Sequence, residues 1–385
     1  MTLRILIAPA GFKESLGSDQ VADCIAAGVK LVLPDAKVLK VPLVDGGEGF
    51  AKALVATTGG SLHEVEVTGP IGEPIQAHYG LLGGSGPKTV VLDMASAAGL
   101  RHVPFYGRDP LRTTTYGVGE LIWAALDEAP ERLLIGCGDS GTNDAGTGMA
   151  QALGVSLEDS RGRPIGRGGA ELLNLKHVDM KNLDPRLEGL RIEVACNMHT
   201  LLCGAEGVAR VYGPQKGASS QTVDKLDEAL NHFADVVERD MGVDVRDIPG
   251  GGASGGLGAG LHVFLGAELI HYSHIVTGFQ TLNEHLESTD LVITAEGTID
   301  HKSLRGKIPS EVGKRAKQQR IPVVVIAGSI GEKADVNYEF GIDAIFGILE
   351  KPISLEQALC STAELITRGA ERLIRAVLVG RKIRP

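Results

Sequence analysis

Between Leu291 and Pro309 a short β-branched run, Leu291-Val292-Ile293, passes at once into a polar, glycine-bearing stretch and then into a helix start. That order confines the chain to an α/β architecture. An apolar run with no alternation reads as a strand buried on both faces. Pro309 suits the first turn of the following helix, where a missing N–H costs nothing. The same unit opens the chain: a strand at Arg4 to Ala8, a loop from Pro9 to Leu16, and a helix from Asp19 to about Leu33. Ser18 is the expected N-cap, and Val21, Ile25 and Val29 share one helix face. Two more units close the chain, with strands at Val323 to Ala327 and Ala344 to Ile348 and a helix from Leu355 to Val377. Strand–helix alternation at both ends predicts one parallel sheet built from the two ends.

The middle reads differently. From His63 to Ala95, short strands alternate with Gly/Pro turns, which predicts a meander. A boundary is therefore expected near residue 62, with one domain from residues 1–62 and 286–385 and an inserted α/β domain from 63–285. A chain of 385 residues suits such a pair. Aromatics make up only 4% of it, with Trp123 the one tryptophan, so the core is aliphatic and base-stacking recognition of nucleic acid is disfavoured. The net charge of −10, with no basic block but Arg381-Lys382-Ile383-Arg384, argues against nucleic-acid and membrane partners. No run is long and apolar enough to span a bilayer, and the first residues enter a strand directly, so neither a membrane segment nor a signal peptide is expected. Five scattered cysteines fit a reduced cytoplasmic enzyme better than a disulfide scaffold. Self-association stays open.

Ligands of open α/β sheets bind beyond the carboxyl ends of strands. Several loops place chemistry there. Lys13 and Ser15 lie between the first strand and the first helix, a natural anion position. Val44-Asp45-Gly46-Gly47-Glu48-Gly49 sets two acids beside paired glycines, although Asp45 could equally cap a helix. Gly136 to Gly146 carries Asp139, Ser140, Thr142, Asn143 and Asp144 ahead of a small-residue helix. Its hydroxyls and backbone N–H groups can cradle phosphate, and Asp139 or Asp144 can hold a metal. Thr113-Thr114-Thr115 offers helix caps or phosphate donors. Lys216 sits between glycines, and Glu296, Asp300, Lys302 and Lys307 follow Ile293. Gly250, Gly252 and Gly255 match G-x-G-x-x-G, but no strand precedes them and no acid closes a second strand. Gly255 and Gly256 read better as an anion- or backbone-hugging loop. Cys196-x2-His199-x3-Cys203 supplies three zinc ligands where a structural site wants four.

Taken together, FKESL (Phe12 to Leu16), DGGEG (Asp45 to Gly49), DSGTNDAG (Asp139 to Gly146), YGPQKGA (Tyr212 to Ala218), ASGGLGAGL (Ala253 to Leu261) and AEGTID…GK (Ala295 to Lys307) resemble the glycerate kinase family typified by bacterial glycerate 2-kinases of the glyoxylate and sugar-acid pathways. The likeness spans essentially the full chain. It implies a Rossmann-like domain from both chain ends, a second α/β domain from the middle, an active site between them, and ATP- and Mg²⁺-dependent phosphorylation of glycerate to 2-phosphoglycerate. Departures from the family pattern are Ala10 for an aspartate, Asn197, His199 and Thr200 for an Asp-Val-Asp/Thr-Asn run, Ala295 for glycine and Lys302 for glutamine. They leave room for another short sugar acid as acceptor.

No Walker A motif is present, so the resemblance implies a phosphate cradle assembled from separate loops. Lys13, Lys216 and Lys307 would balance phosphate charge. Either Asp45 or Asp300 would take the hydroxyl proton, and the other would hold Mg²⁺ with Glu296; Asp144 is a further candidate ligand. Ser15, Glu48, Ser140, Thr142, Asn143, Gly255 and Gly256 complete the expected substrate and nucleotide contacts. The rival readings are an NAD-dependent hydroxy-acid dehydrogenase, suggested by the glycine match, and a non-catalytic sugar-acid sensor, suggested by the altered loop residues.

Overall fold

The computed structural model describes residues 2–304 and 306–380; the basic tail at 381–384 lies outside them. In chain order its strands are β1 (Arg4–Ile7), β2 (Lys37–Lys40), β3 (Ser61–Thr68), β4 (Pro74–Leu81), β5 (Thr89–Asp93), β6 (Arg132–Gly136), β7 (Ser156–Glu158), β8 (His177–Asp179), β9 (Arg191–Cys196), β10 (Glu268–His271), β11 (Leu291–Ile299), β12 (Val323–Ile330) and β13 (Ala344–Gly347). The chain divides into two compact units, one of residues 1–44 and 276–385, the other of residues 45–275.

The first unit carries an all-parallel sheet in the order β13-β12-β11-β1-β2. Both ends of the chain thus enter one sheet, as the alternation predicts. From β1 the chain steps outward to β2, and from β11 it steps the other way, so the order reverses between β1 and β11. Crevices at such reversals, beyond the carboxyl ends of the strands, are where these sheets bind ligands. The helix Ser18–Val32 packs on the helix Thr362–Gly380 closely enough that a Cβ on Gly28 would lie 2.2 Å from the Thr367 carbonyl oxygen. Ile5, Ile7, Ile293 and Ile326 fill the core between sheet and helices.

The second unit carries a mixed sheet in the order β10-β9-β6-β5-β4-β3. β3, β4 and β5 form the expected antiparallel meander, and β5, β6, β9 and β10 run parallel. A separate two-stranded ladder joins β7 and β8. The carboxyl ends of β5, β6 and β9 open on the same side, and the acidic, glycine-rich loop at 137–146 follows β6 there.

Four local expectations are corrected. The division between units falls at Val44 and Val276, not near 62 and 286, because the helix Phe50–Thr58 belongs to the second unit. Its Phe50 is fully buried, and a Cβ on Gly136 of β6 would lie 2.6 Å from the Phe50 ring. The first helix is capped at Gly17, whose N–H donates to Gln20 Oε1, and Ser18 is buried inside the helix. β11 does not stop at Ile293: its pairing with β12 continues from Thr294 to Ile299, so Glu296 stands on the strand itself. The last helix is two helices, Leu355–Cys360 and Thr362–Gly380, broken at Ser361.

Candidate active site

In the first unit, the loop after β1 continues alongside β11 through Ala8 N–H to Ile293 O and Ala10 N–H to Ala295 O. The buried Thr294 hydroxyl donates to Ala8 O at 2.7 Å and locks the two together. This extension carries Lys13 on one side and Glu296 on the other. Lys307, the residue before the helix Ile308–Gln318, returns to set Nζ 2.7 Å from Glu296 Oε1 and 3.5 Å from Thr298 O. Burial alone would lower the Lys307 pKa, but the charge and hydrogen bond of Glu296 outweigh it and hold the ammonium above the ordinary lysine value. Lys13 and Asp300 also act on that charge, in opposite directions. Asp300 is fixed by Lys302 N–H donating to Oδ1 at 2.9 Å, while its own N–H donates to Ser303 Oγ. Lys13, Glu296, Asp300 and Lys307 are therefore one electrostatic group at the reversal of the sheet. Ser15 is not part of it. Its hydroxyl is 2.7 Å from Thr362 Oγ1 and donates to Leu359 O, tying the loop to the carboxyl-terminal helices.

In the second unit, Gly47 N–H donates to Asp45 Oδ1 and Glu48 N–H donates to Asp139 Oδ2. A Cβ on Gly47 would fall 2.3 Å from Asp139 Oδ2 and 3.0 Å from Asp45 Oδ1, so two carboxylates flank one glycine. Carboxylates this close repel unless a proton or a cation lies between them. Gly46, in the left-handed region at φ +85°, passes so near β9 that a Cβ would meet the Ala195 carbonyl oxygen at 2.4 Å. Glu48 is ion-paired with Arg101, and Leu100 N–H donates to Asp139 O. Sequence reasoning missed Arg101, which lies outside every glycine-rich stretch.

The loop after β6 is held from within. Lys216 is buried, and its Nζ donates to Ser140 Oγ at 2.8 Å and to Thr142 O at 2.6 Å. It ties the loop together rather than standing in solvent to meet phosphate. Thr142 and Asn143 are completely buried, and among the described residues Thr142 Oγ1, Asn143 Oδ1 and Asn143 Nδ2 have no hydrogen-bond partner. Each such group costs about 1–3 kcal/mol when left unsatisfied. Gly255 and Gly256, at φ +74° and +89°, press against this turn. A Cβ on Gly255 would lie 2.0 Å from Thr142 O, and one on Gly256 2.9 Å from the Ala145 Cα. These glycines serve backbone contact. The G-x-G-x-x-G match follows no strand, which removes the structural basis for the dehydrogenase reading.

Asp144 is buried and engaged by its own turn. Its Oδ2 accepts from Thr115 N–H at 2.8 Å and from the Thr115 hydroxyl at 3.0 Å, and its Oδ1 accepts from Gly146 N–H. Burial nevertheless raises its pKa. It caps a turn in the interior, and the Thr113–Thr115 hydroxyls are internal ties of the same kind. Among the described residues no three His, Cys, Asp or Glu side chains cluster so as to hold a metal ion. No helix among them is long and apolar enough to cross a membrane.

The sequence profile of the Glycerate kinase family matches residues 5–378. The chain is 46% identical over 373 residues to the glycerate kinase of Haemophilus influenzae, covering 95% of this chain and 98% of that one. It is 44% identical over 378 residues to glycerate 2-kinase of Escherichia coli K12, covering 98% and 99%. A crystal structure from Salmonella typhimurium LT2, provisionally named glycerate kinase 2, superposes with a TM-score of 0.71 at 43% identity over the full length of both chains.

Proposed function

Because this chain belongs to the glycerate kinase family, we propose that it transfers the γ-phosphoryl group of ATP to a hydroxyl of D-glycerate, giving 2-phosphoglycerate. The observation that carries this reading is the family match across residues 5–378. The site residues supply the chemistry such a reaction needs, which is mostly positioning and charge balance. Lys13 and Lys307 balance the phosphate charge, with Glu296 holding Lys307 in place. Asp300 takes the hydroxyl proton.

The donor set for Mg²⁺ is Asp45 and Asp139, hard oxygen ligands on either side of Gly47. Mg²⁺ is commonly bound by one or two carboxylates together with water and substrate phosphates, so two suffice. When bound, the ion would neutralise charge on the phosphates. Asp45 and Asp139 are held in place for it by the N–H groups of Gly47 and Glu48. The five cysteines are all free, which suits a cytoplasmic enzyme.

The test is ADP release by the purified chain with ATP, Mg²⁺ and a panel of short hydroxy acids, followed by ³¹P NMR of the product. D-Glycerate turnover with a 2-phosphoglycerate signal is the expected result. Turnover of another sugar acid in preference would replace the acceptor, and no ADP with any acid would remove the kinase reading.

A further inference from the structure

Thr142 and Asn143 form a buried turn with three polar atoms that no group among the described residues satisfies: one hydroxyl, one amide oxygen and one amide nitrogen. Exchanging the oxygen and nitrogen of the amide changes nothing, since neither has a partner. The turn is fixed from two sides. Lys216 Nζ holds Thr142 O at 2.6 Å, and the left-handed backbone at Gly255 leaves no room for a side chain against Thr142 O and Asn143 Cα. A rigid, buried and unsatisfied set of this kind is built to receive polar groups.

The character of the set selects among the substrates. A phosphate offers acceptors only, so it would satisfy Nδ2 and the Thr142 hydroxyl but leave the Asn143 Oδ1 facing negative charge. A hydroxy acid offers both kinds of group: carboxylate oxygens to accept, and an alcohol O–H to donate. The Lys216 ammonium, anchored on the same turn, adds the positive charge a carboxylate wants. Resting on the kinase reading above, we infer that Thr142 and Asn143 are the subsite for the acceptor acid rather than for the nucleotide. Thr142 Oγ1 and Asn143 Nδ2 donate to its carboxylate, and Asn143 Oδ1 accepts from one of its hydroxyls. The two residues are then specificity determinants for a short acid that carries an alcohol group.

Steady-state kinetics of the full chain test this, with D-glycerate and ATP varied separately. Absence of ADP release by the unaltered chain would sink the kinase reading itself, before the subsite is touched. Given turnover, Asn143→Ala and Thr142→Val should each raise KM for D-glycerate about tenfold or more while KM for ATP changes by less than about twofold. Asn143→Asp, nearly isosteric, should raise it about a hundredfold by setting like charge against the carboxylate, and it keeps the test open if the alanine variant does not fold. D-Lactate and 3-hydroxypropionate, each lacking one hydroxyl of glycerate, report on the Oδ1 contact as competitive inhibitors. The preference of the unaltered chain for D-glycerate over one of them should collapse in Asn143→Ala. A rise in KM for ATP alone would overturn the assignment in favour of a nucleotide subsite. Unchanged KM values with an altered Tm would overturn it in favour of an internal water position.

Discussion

Lys307 Nζ stands 2.7 Å from Glu296 Oε1, joining a parallel strand to the start of the helix that follows it. The lysine holds its proton more tightly than an ordinary lysine because Glu296 outweighs the effect of burial. Its contribution to stability is therefore complete below the ordinary lysine value of 10.5 and is lost only as pH rises through the higher folded value. Glu296→Gln removes the charge and keeps a hydrogen-bond acceptor. The alkaline limb of the kcat/KM profile should then move to lower pH. A limb that stays in place would show that Lys307 does not carry the charge used in turnover.

Gly47 is where the two carboxylates of the second unit meet. Its φ is not in the left-handed region, so alanine is conformationally allowed there. The added Cβ would push into the Asp139 carboxylate, a side-chain end that can swing away. Gly47→Ala should fold with a loss of about 1 kcal/mol or less, yet weaken Mn²⁺ binding, followed by electron paramagnetic resonance, about tenfold or more. Mn²⁺ affinity equal to that of the unaltered chain would separate Asp139 from the metal.

The strands were legible because burial on both faces demands unbroken β-branched runs, as at Leu291-Val292-Ile293 and at Val323-Val324-Val325. The end of β11 was not legible. Thr294 and Glu296 look like loop residues, but their backbone groups continue to pair with β12. Composition singled out these loops without reporting which way the side chains inside them turn. Asp144 and Lys216 carry the residue types of a phosphate site, yet the fold turns both inward, and no periodicity reports which way a polar side chain turns in a glycine-rich loop. Asp93 passed unnoticed because an acid at the end of an apolar run looks like the first residue of a turn, although it is fully buried.

Lys216 reaches two acceptors from inside the unit, so its loss is a loss of support. Lys216→Met fills a similar volume but leaves Ser140 Oγ and Thr142 O without that donor. We expect a destabilisation of about 1–3 kcal/mol in urea unfolding, with kcat/KM for the acid falling more than that for ATP. Gly255→Ala should be costlier, at about 2–5 kcal/mol, because it combines a left-handed φ with a carbonyl oxygen 2.0 Å from the new methyl group. Unfolding midpoints equal to that of the unaltered chain would show that this turn adjusts freely.

His78 Nε2 lies 3.8 Å from Asp93 Oδ2, and both side chains are largely enclosed. Burial pushes Asp93 up to about 6, against the N–H groups of Ala51 and Ser96 that donate to it. Burial, then the charges of Lys52 and Arg101, push His78 down to about 4. The two act on stability with opposite signs. Between about pH 4 and 6 the native chain keeps a proton on Asp93 that the unfolded chain releases, so this contribution falls as pH rises, by about 3 kcal/mol in all. Between about pH 4 and 6.5 the native chain keeps His78 neutral while the unfolded chain binds a proton, so this contribution grows as pH rises. Each masks the other in the unaltered chain. His78→Gln should leave the aspartate alone, so its urea midpoint rises as the buffer is taken from pH 6 to pH 4. Asp93→Asn should leave the histidine alone, so its midpoint falls over the same range. Parallel pH profiles for the two variants would show that the two groups titrate as in solution, and that the paired burial has no consequence for stability.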